Sequence, residues 1–201
     1  FVQTYDGHMH YFHDEMFYDY ISQVNETHLL GLYDGEELGG VSLLSATSVL
    51  KKFRLFTSHT GPLLRDFSNE RLKFFLEEID KYAKKNGALQ MIHSPYTVYQ
   101  IRDHDGNVVE DDERNNQEII SLYEKLGYNH HGFTTELITE ELLRYQAVID
   151  VDKPLDAILK QMDVTTRYNT RQTETMPLEL KLLDEDEYDK FIDIYKETEE
   201  R

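Results

Sequence analysis

The chain has 201 residues, 39% of them hydrophobic and 30% charged, a composition that can bury a sizeable core and that argues against wholesale disorder. A net charge of −18 argues against a broad nucleic-acid footprint and against free attraction to an anionic membrane, while leaving room for a local basic patch. The absence of cysteine removes disulfides, thiolate zinc sites and a cysteine nucleophile, and no apolar run reaches the length of a membrane span.

The chain opens on FVQTY, with neither Met nor signal peptide, and stops on the charged KETEER. Both ends read as cut, so a fragment of a longer protein is expected. Residues 1–23 are aromatic and acidic, and predict an irregular entry followed by a helix or extended piece over 14–21. His8, His10 and His13 suggest a metal cluster, but structural zinc wants four ligands, usually with a second paired motif, and none is visible.

Asp34-Gly35 between the apolar runs 27–33 and 38–44 predicts a β-hairpin, because its turn needs positive φ. Gly39-Gly40 in the return strand predicts a bulge or a close backbone approach. A third strand follows over 53–57, and Gly61-Pro62 marks a turn. Residues 68–86 predict a helix capped by Ser68 or Asn69, with Leu72, Phe75, Leu76, Ile79, Tyr82 and Ala83 on one face and Gly87 at its end.

Residues 88–92 read as an interior strand, followed by Ser94-Pro95-Tyr96 and a long polar loop. Residues 110–113 are expected to cap a second helix, faced by Ile119, Leu122, Tyr123 and Leu126 and stopped by Gly127. Residues 128–135 predict a strand on which His130 and His131 point to opposite faces. A second unit is expected to begin with 142–171. It holds a strand over 145–151, a helix started by Asp152 and Pro154, and a polar helix over 165–175 carrying Arg167 and Arg171. A half-buried strand over 178–183 and a last helix boxed by Asp184 and Glu187 complete it. Alternating strands and helices mean an α/β architecture.

No GxGxxG, Walker A loop, HExxH, GxSxG or EF-hand loop is present. Nor is there the Q/R-x-x-G-x-G/A loop with which acetyltransferases hold the pyrophosphate of coenzyme A at a helix N-terminus, although the element order suits that fold. The segments FVQTY, HTGPLLRDFSNE, KYAKKNGALQMIHSPY, KLGYNHHGFTTE, LLRYQAVIDV and YKETEER, in that order, resemble the FemA/FemB/FemX/MurM family of bacterial aminoacyltransferases. The resemblance covers nearly the whole chain and is most specific from Lys125 onward.

The resemblance implies two acetyltransferase-like (GNAT-like) domains, each a twisted mixed sheet flanked by helices. Residues 1–143 would be the first, and 144–201 the opening elements of a truncated second. It implies transfer of an amino acid from aminoacyl-tRNA to the peptide stem of a lipid-linked peptidoglycan precursor, building the interpeptide bridge. No cofactor is implied, because the ester is already activated. It also implies a cytoplasmic protein acting at the inner face of the cell membrane through peripheral contact, and a fragment inactive alone.

By the same resemblance, Arg144 stands where relatives also carry an arginine, as a substrate contact or a structural ion pair. Arg167, Asn169 and Arg171 fall on a helix that is basic in relatives and would meet tRNA or precursor phosphates. Here that helix is thinned of cations, so a plain surface helix is the other reading. His10 occupies the place of a phosphate-binding lysine. Ser94-Pro95-Tyr96 replaces Asp-Pro, with Tyr96 joining the substrate-binding set, and Thr60 replaces a basic residue before Gly-Pro. No catalytic base is named, and the residues completing the site are expected beyond Arg201. The rival readings are an acyl-CoA N-acyltransferase on the same fold and a binding paralogue that has lost catalysis.

Overall fold

The computed structural model describes residues 1–5, 7, 9–49, 51–133, 145–179, 181–182 and 184–199. The chain divides into two compact units, Phe1–Arg144 and Tyr145–Arg201.

The first unit opens on two single-turn 3-10 helices and α1 (Glu15–Val24), which Asp14 caps by accepting from the Met16 N–H at 2.8 Å. Five strands follow: β1 (Glu26–Asp34), β2 (Glu37–Val49), β3 (Phe53–Thr60), β4 (Leu63–Leu64) and β5 (Ala88–Pro95). They form one sheet in the order β1-β2-β3-β5, with β4 also paired to β2. β2 runs antiparallel to both β1 and β3, whereas β3 and β5 are parallel. A parallel pair needs a crossover, and α2 (Asn69–Lys85) supplies it.

Local chemistry sets these elements. Gly35 turns the hairpin with φ 62°. Leu32 pairs with Gly40 and Tyr33 with Leu38, so Gly39 is the extra residue of a bulge. Gly40 meets the close approach: a β-carbon there would lie 2.6 Å from Leu64 Cδ2 and 3.1 Å from the Leu63 carbonyl oxygen. Both readings of the glycine pair therefore hold. Ser68 caps α2 by accepting from the Arg71 N–H at 3.2 Å. Leu72, Phe75, Leu76, Ile79 and Ala83 of α2 pack with Leu44, Ala46 and Phe56 of the sheet to form the core. Each large side chain so buried contributes about 1.5–3 kcal/mol.

Three expectations for this unit need correcting. The strand over 88–92 is not interior: β5 runs on to Pro95 and has β3 as its one partner among the described residues. Its outward Leu89 is accordingly 56% exposed. The strand expected over 128–135 is absent at 128–133, and the rest of it lies outside the described residues. Side chains decide the path there: the Tyr128 ring turns in against His93 and Tyr123, and Phe133 stacks with Tyr99 and His130. The second helix, α3 (Glu118–Lys125), also begins later than its expected cap. Asp112 binds the Arg114 backbone and guanidinium, and Asn115 binds the Ile101 N–H and the Val109 carbonyl. Such side-chain to backbone bonds compete with helix.

In the second unit, α4 (Leu155–Gln161) follows Pro154, and α5 (Val164–Thr173) is capped by Asp163, which accepts from the Thr165 and Thr166 N–H groups. A 3-10 turn (Glu185–Glu187) leads into α6 (Tyr188–Glu199). The described residues of 145–151 and 178–183 form no strand. A strand needs a neighbour to accept its ladder, and none is present among the described residues of this unit; Val148, Val151 and Leu182 are 83%, 80% and 93% exposed. The Glu187 carboxylate accepts from Lys181 and Lys190 at 2.8 and 2.6 Å and also from the backbone of Asp184, which is the reciprocal half of the expected box.

One partly buried polar chain ties α2, β5 and the segment after α3 together. Tyr128 donates its hydroxyl hydrogen to Asp80 and accepts from His93 Nε2 at 2.9 Å. Burial pushes His93 down to about 3. Below the ordinary histidine value of 6.5 the unfolded chain therefore takes up a proton that the folded chain refuses, and stability falls as pH drops. Between pH 6.5 and pH 4 the share of His93 is about 3 kcal/mol. His93→Gln keeps a donor for Tyr128 but cannot titrate, so urea unfolding across this range should show a shallower acid loss by about that amount.

Candidate functional site

Thr60 of β3 pairs with Pro95 of β5, so the carboxyl ends of two parallel strands finish side by side. In open α/β sheets ligands settle in the crevice beyond such ends. Two features of this sheet end stand out physically. Thr60 is buried and has φ 55°, a conformation that a β-branched residue adopts only under compulsion. The segment 10–13 lies against it, carrying two histidines.

The hydrogen bonds there leave little freedom. His13 Nδ1 accepts from the backbone N–H of His10 at 3.0 Å. The neutral ring therefore carries its hydrogen on Nε2, which donates to the Thr60 hydroxyl at 2.7 Å and carbonyl at 3.1 Å. The Thr60 hydroxyl passes its own hydrogen to the His59 carbonyl at 2.7 Å. The Thr60 carbonyl also accepts from the Tyr96 N–H at 3.3 Å. In return, His10 Nδ1 accepts from the Phe12 N–H at 3.3 Å, completing a capping box made of two histidines.

Two of the residues selected from the sequence meet here: the rings of His10 and Tyr96 lie 5.1 Å apart. Beside them, His59 Nε2 shares a 2.7 Å hydrogen bond with Ser45, and Phe12 and Phe17 pack edge-on to the His59 ring. No carboxylate among the described residues bonds to His59, so the pair lacks the oriented base of a serine nucleophile. Burial lowers the pKa of His10, His13 and His59; for His13 the Thr60 carbonyl opposes it and the charge of His10 adds to it. At neutral pH this sheet end is an aromatic surface with neutral N–H donors. With Nδ1 engaged, His10 offers Nε2–H, where a lysine would offer an ammonium.

The other selected residues lie elsewhere. Arg167, Asn169 and Arg171 are on α5 of the second unit. Arg167 and Arg171, four apart, share one face, and Asn169 lies on the opposite side. Arg144 lies outside the described residues, as does His8 of the suspected metal cluster. No group of three His, Asp or Glu side chains among the described residues is placed to hold a metal ion. Sequence reasoning missed the joint role of His13 and Thr60. The available signals were a threonine where the chain must turn into Gly-Pro, and two histidines at capping-box spacing.

A family model described as FemAB family matches residues 1–201. The chain belongs to the FemAB family. Aminoacyltransferase FemA of Staphylococcus aureus strain MW2 is 33% identical over 178 residues, covering 87% of this chain and 42% of that protein. FemA of strain MRSA252 matches to the same extent. The crystal structure of FemX superposes with a TM-score of 0.69 over 90% of this chain and 42% of its own, at 19% identity, which shows the shared fold. That fold is an α/β architecture with a mixed sheet flanked by helices, as expected from the alternating elements. The chain thus spans 42% of the length of these FemAB relatives. Among its described residues no helix is long and apolar enough to cross a membrane.

The Thr60 hydroxyl is the joint of the hydrogen-bond chain. Thr60→Val keeps the shape and removes the hydroxyl, so it should lower unfolding stability by roughly 1–3 kcal/mol in chemical denaturation. His13→Ala and Thr60→Val should couple by on the order of 1 kcal/mol in a double-mutant cycle.

Proposed function

We propose that this chain is part of a peptidoglycan interpeptide-bridge aminoacyltransferase, which moves an amino acid from aminoacyl-tRNA to the peptide stem of a lipid-linked precursor. The observation that carries this reading is the FemAB match over residues 1–201, joined by 33% identity to proteins named aminoacyltransferase FemA. In the reaction an amine of the stem attacks the ester carbonyl of the charged tRNA. The new C–N bond forms, the C–O bond to the tRNA breaks, and the freed hydroxyl takes up the proton the amine sheds. The ester is already activated, so no cofactor is required, and the protein's task is alignment and charge stabilisation.

Within this reading, residues 1–143 form the first acetyltransferase-like domain and supply a wall of the acceptor cleft. His10 and Tyr96 face the precursor, His10 giving a neutral N–H to a phosphate oxygen and Tyr96 a ring and hydroxyl. His13 is not the base, because both its ring nitrogens are engaged. Residues 144–201 open the second domain. Arg144 belongs to the substrate-binding set, and Arg167, Asn169 and Arg171 on α5 meet phosphates of the tRNA or precursor. The rest of the cleft, with the general base, comes from residues outside this chain, and the chain alone does not turn over. The enzyme works in the cytoplasm at the inner face of the membrane.

The direct test is transfer of a labelled amino acid from charged tRNA to lipid-linked precursor by the whole protein. Amide-linked label on the precursor is the expected result. Absence of transfer from every charged tRNA sinks the reading, and precursor binding without turnover points to a non-catalytic paralogue. If α5 meets phosphates, Arg167→Ala with Arg171→Ala should lower substrate affinity by roughly tenfold and flatten its salt dependence by about two charges. An unchanged salt slope removes α5 from the site.

A further inference from the structure

One neutral ring holds three chain segments together at the end of the sheet. His13 takes the backbone N–H of His10 on Nδ1 and gives its single hydrogen to both oxygens of Thr60. Thr60 in turn accepts the N–H of Tyr96 on the same carbonyl. The ring is thus one bond from His10 and two from Tyr96, the pair whose rings lie 5.1 Å apart. Its pattern needs one acceptor nitrogen and one donor nitrogen at the same time. A charged imidazolium has two donors and would lose the His10 bond; the other tautomer would lose the bonds to the His10 N–H and the Thr60 carbonyl, and could keep the Thr60 hydroxyl only by drawing its hydrogen away from the His59 carbonyl.

Thr60 makes the arrangement more than a local cap. Its φ of 55° is held in a buried setting by the bonds from His13 and Tyr96 and by its own bond to the His59 carbonyl. Strain retained at one residue and fixed from both sides marks a place whose geometry is used. We infer that His13 is a positioning residue, which sets the spacing of His10 and Tyr96 through Thr60 and so shapes the surface that receives the precursor's phosphate and sugar. The last clause rests on the precursor reading given above; the positioning itself does not.

The experiment has two arms on the protein carrying this chain in full. Side-chain nitrogen NMR near neutral pH should show His13 neutral with its hydrogen on Nε2. His13→Ala should move the ring signals of His10 and Tyr96 while the methyl signals of Leu76 and Ile79 in the core stay in place. His13→Gln, whose amide offers one acceptor and one donor, should restore the ring signals. In the second arm, His13→Ala should weaken binding of lipid-linked precursor in detergent micelles by ~10-fold, and His13→Gln should recover most of it.

A charged His13, the Nδ1–H tautomer, or ring signals of His10 and Tyr96 indifferent to His13→Ala overturns the inference. So does equal loss of affinity in the Gln and Ala variants, which is what a merely space-filling role gives. If the Ala variant does not fold, the tautomer and the Gln variant decide. If the unsubstituted protein binds no precursor, the precursor reading falls, and the NMR arm still decides the positioning.

Discussion

The packing of α2 against the sheet is the interaction on which the rest of the first unit depends. Leu72, Phe75, Leu76, Ile79 and Ala83 are all nearly inaccessible, and they seal the face formed by Leu44, Ala46 and Phe56. The burial gives more than stability. It holds α2 as the crossover between β3 and β5, and a crossover is what lets two strands run in parallel. Had β5 returned by a tight turn, it would run antiparallel to β3, and Thr60 and Pro95 would end at opposite edges. The candidate site is therefore a consequence of where one helix buries its face.

The sheet edge behind that helix uses polar groups to fix what apolar packing leaves free. A helix sliding along a sheet changes buried area only gradually, whereas a hydrogen bond is made or lost over a fraction of an ångström. Tyr128, tied to both Asp80 of α2 and His93 of β5, pins helix to strand in this way. On the opposite margin, Arg54 bonds to Glu26 of β1 and to the Asn86 carbonyl at the end of α2. These links set the register of a frame whose adhesion is hydrophobic.

The parts legible in the sequence were those where one residue type answers one local demand. Gly35, Gly39, Gly40 and Gly87 each stand at a turn, a bulge, a close approach or a helix end, where a β-carbon is disfavoured. The face of α2 followed from spacing alone. The illegible parts were those where the outcome depends on a distant partner. A run such as YQAVIDV has strand composition, but composition cannot supply a neighbour, and without a described partner its residues stay exposed. The start of α3 was misread for a related reason: the carboxylate of Asp112 and the amide of Asn115 outbid helical hydrogen bonding in a stretch whose sequence reads as a cap. Among site residues, His10 and Tyr96 came from resemblance, 86 positions apart in the numbering, and no pattern within the chain links them. The link is Thr60, which no pattern within the chain singles out.

The neutral residues at positions 60 and 10 have an electrostatic consequence. A cation at position 60 and another at position 10 would sit close together beside a buried sheet end, each raising the cost of the other's charge. Threonine and histidine remove both charges and replace them with directional neutral groups. Neutral donors attract an anion less from a distance, and in a chain of net charge −18 long-range attraction of phosphates is weak in any case. On the proposed function, what remains is short-range recognition, in which a donor contributes only if it is already aimed. A site that relies on neutral donors therefore depends on rigid placement more than one built from lysines, whose long stems can seek out a phosphate. The double histidine cap and the strained, fully bonded Thr60 supply that rigidity.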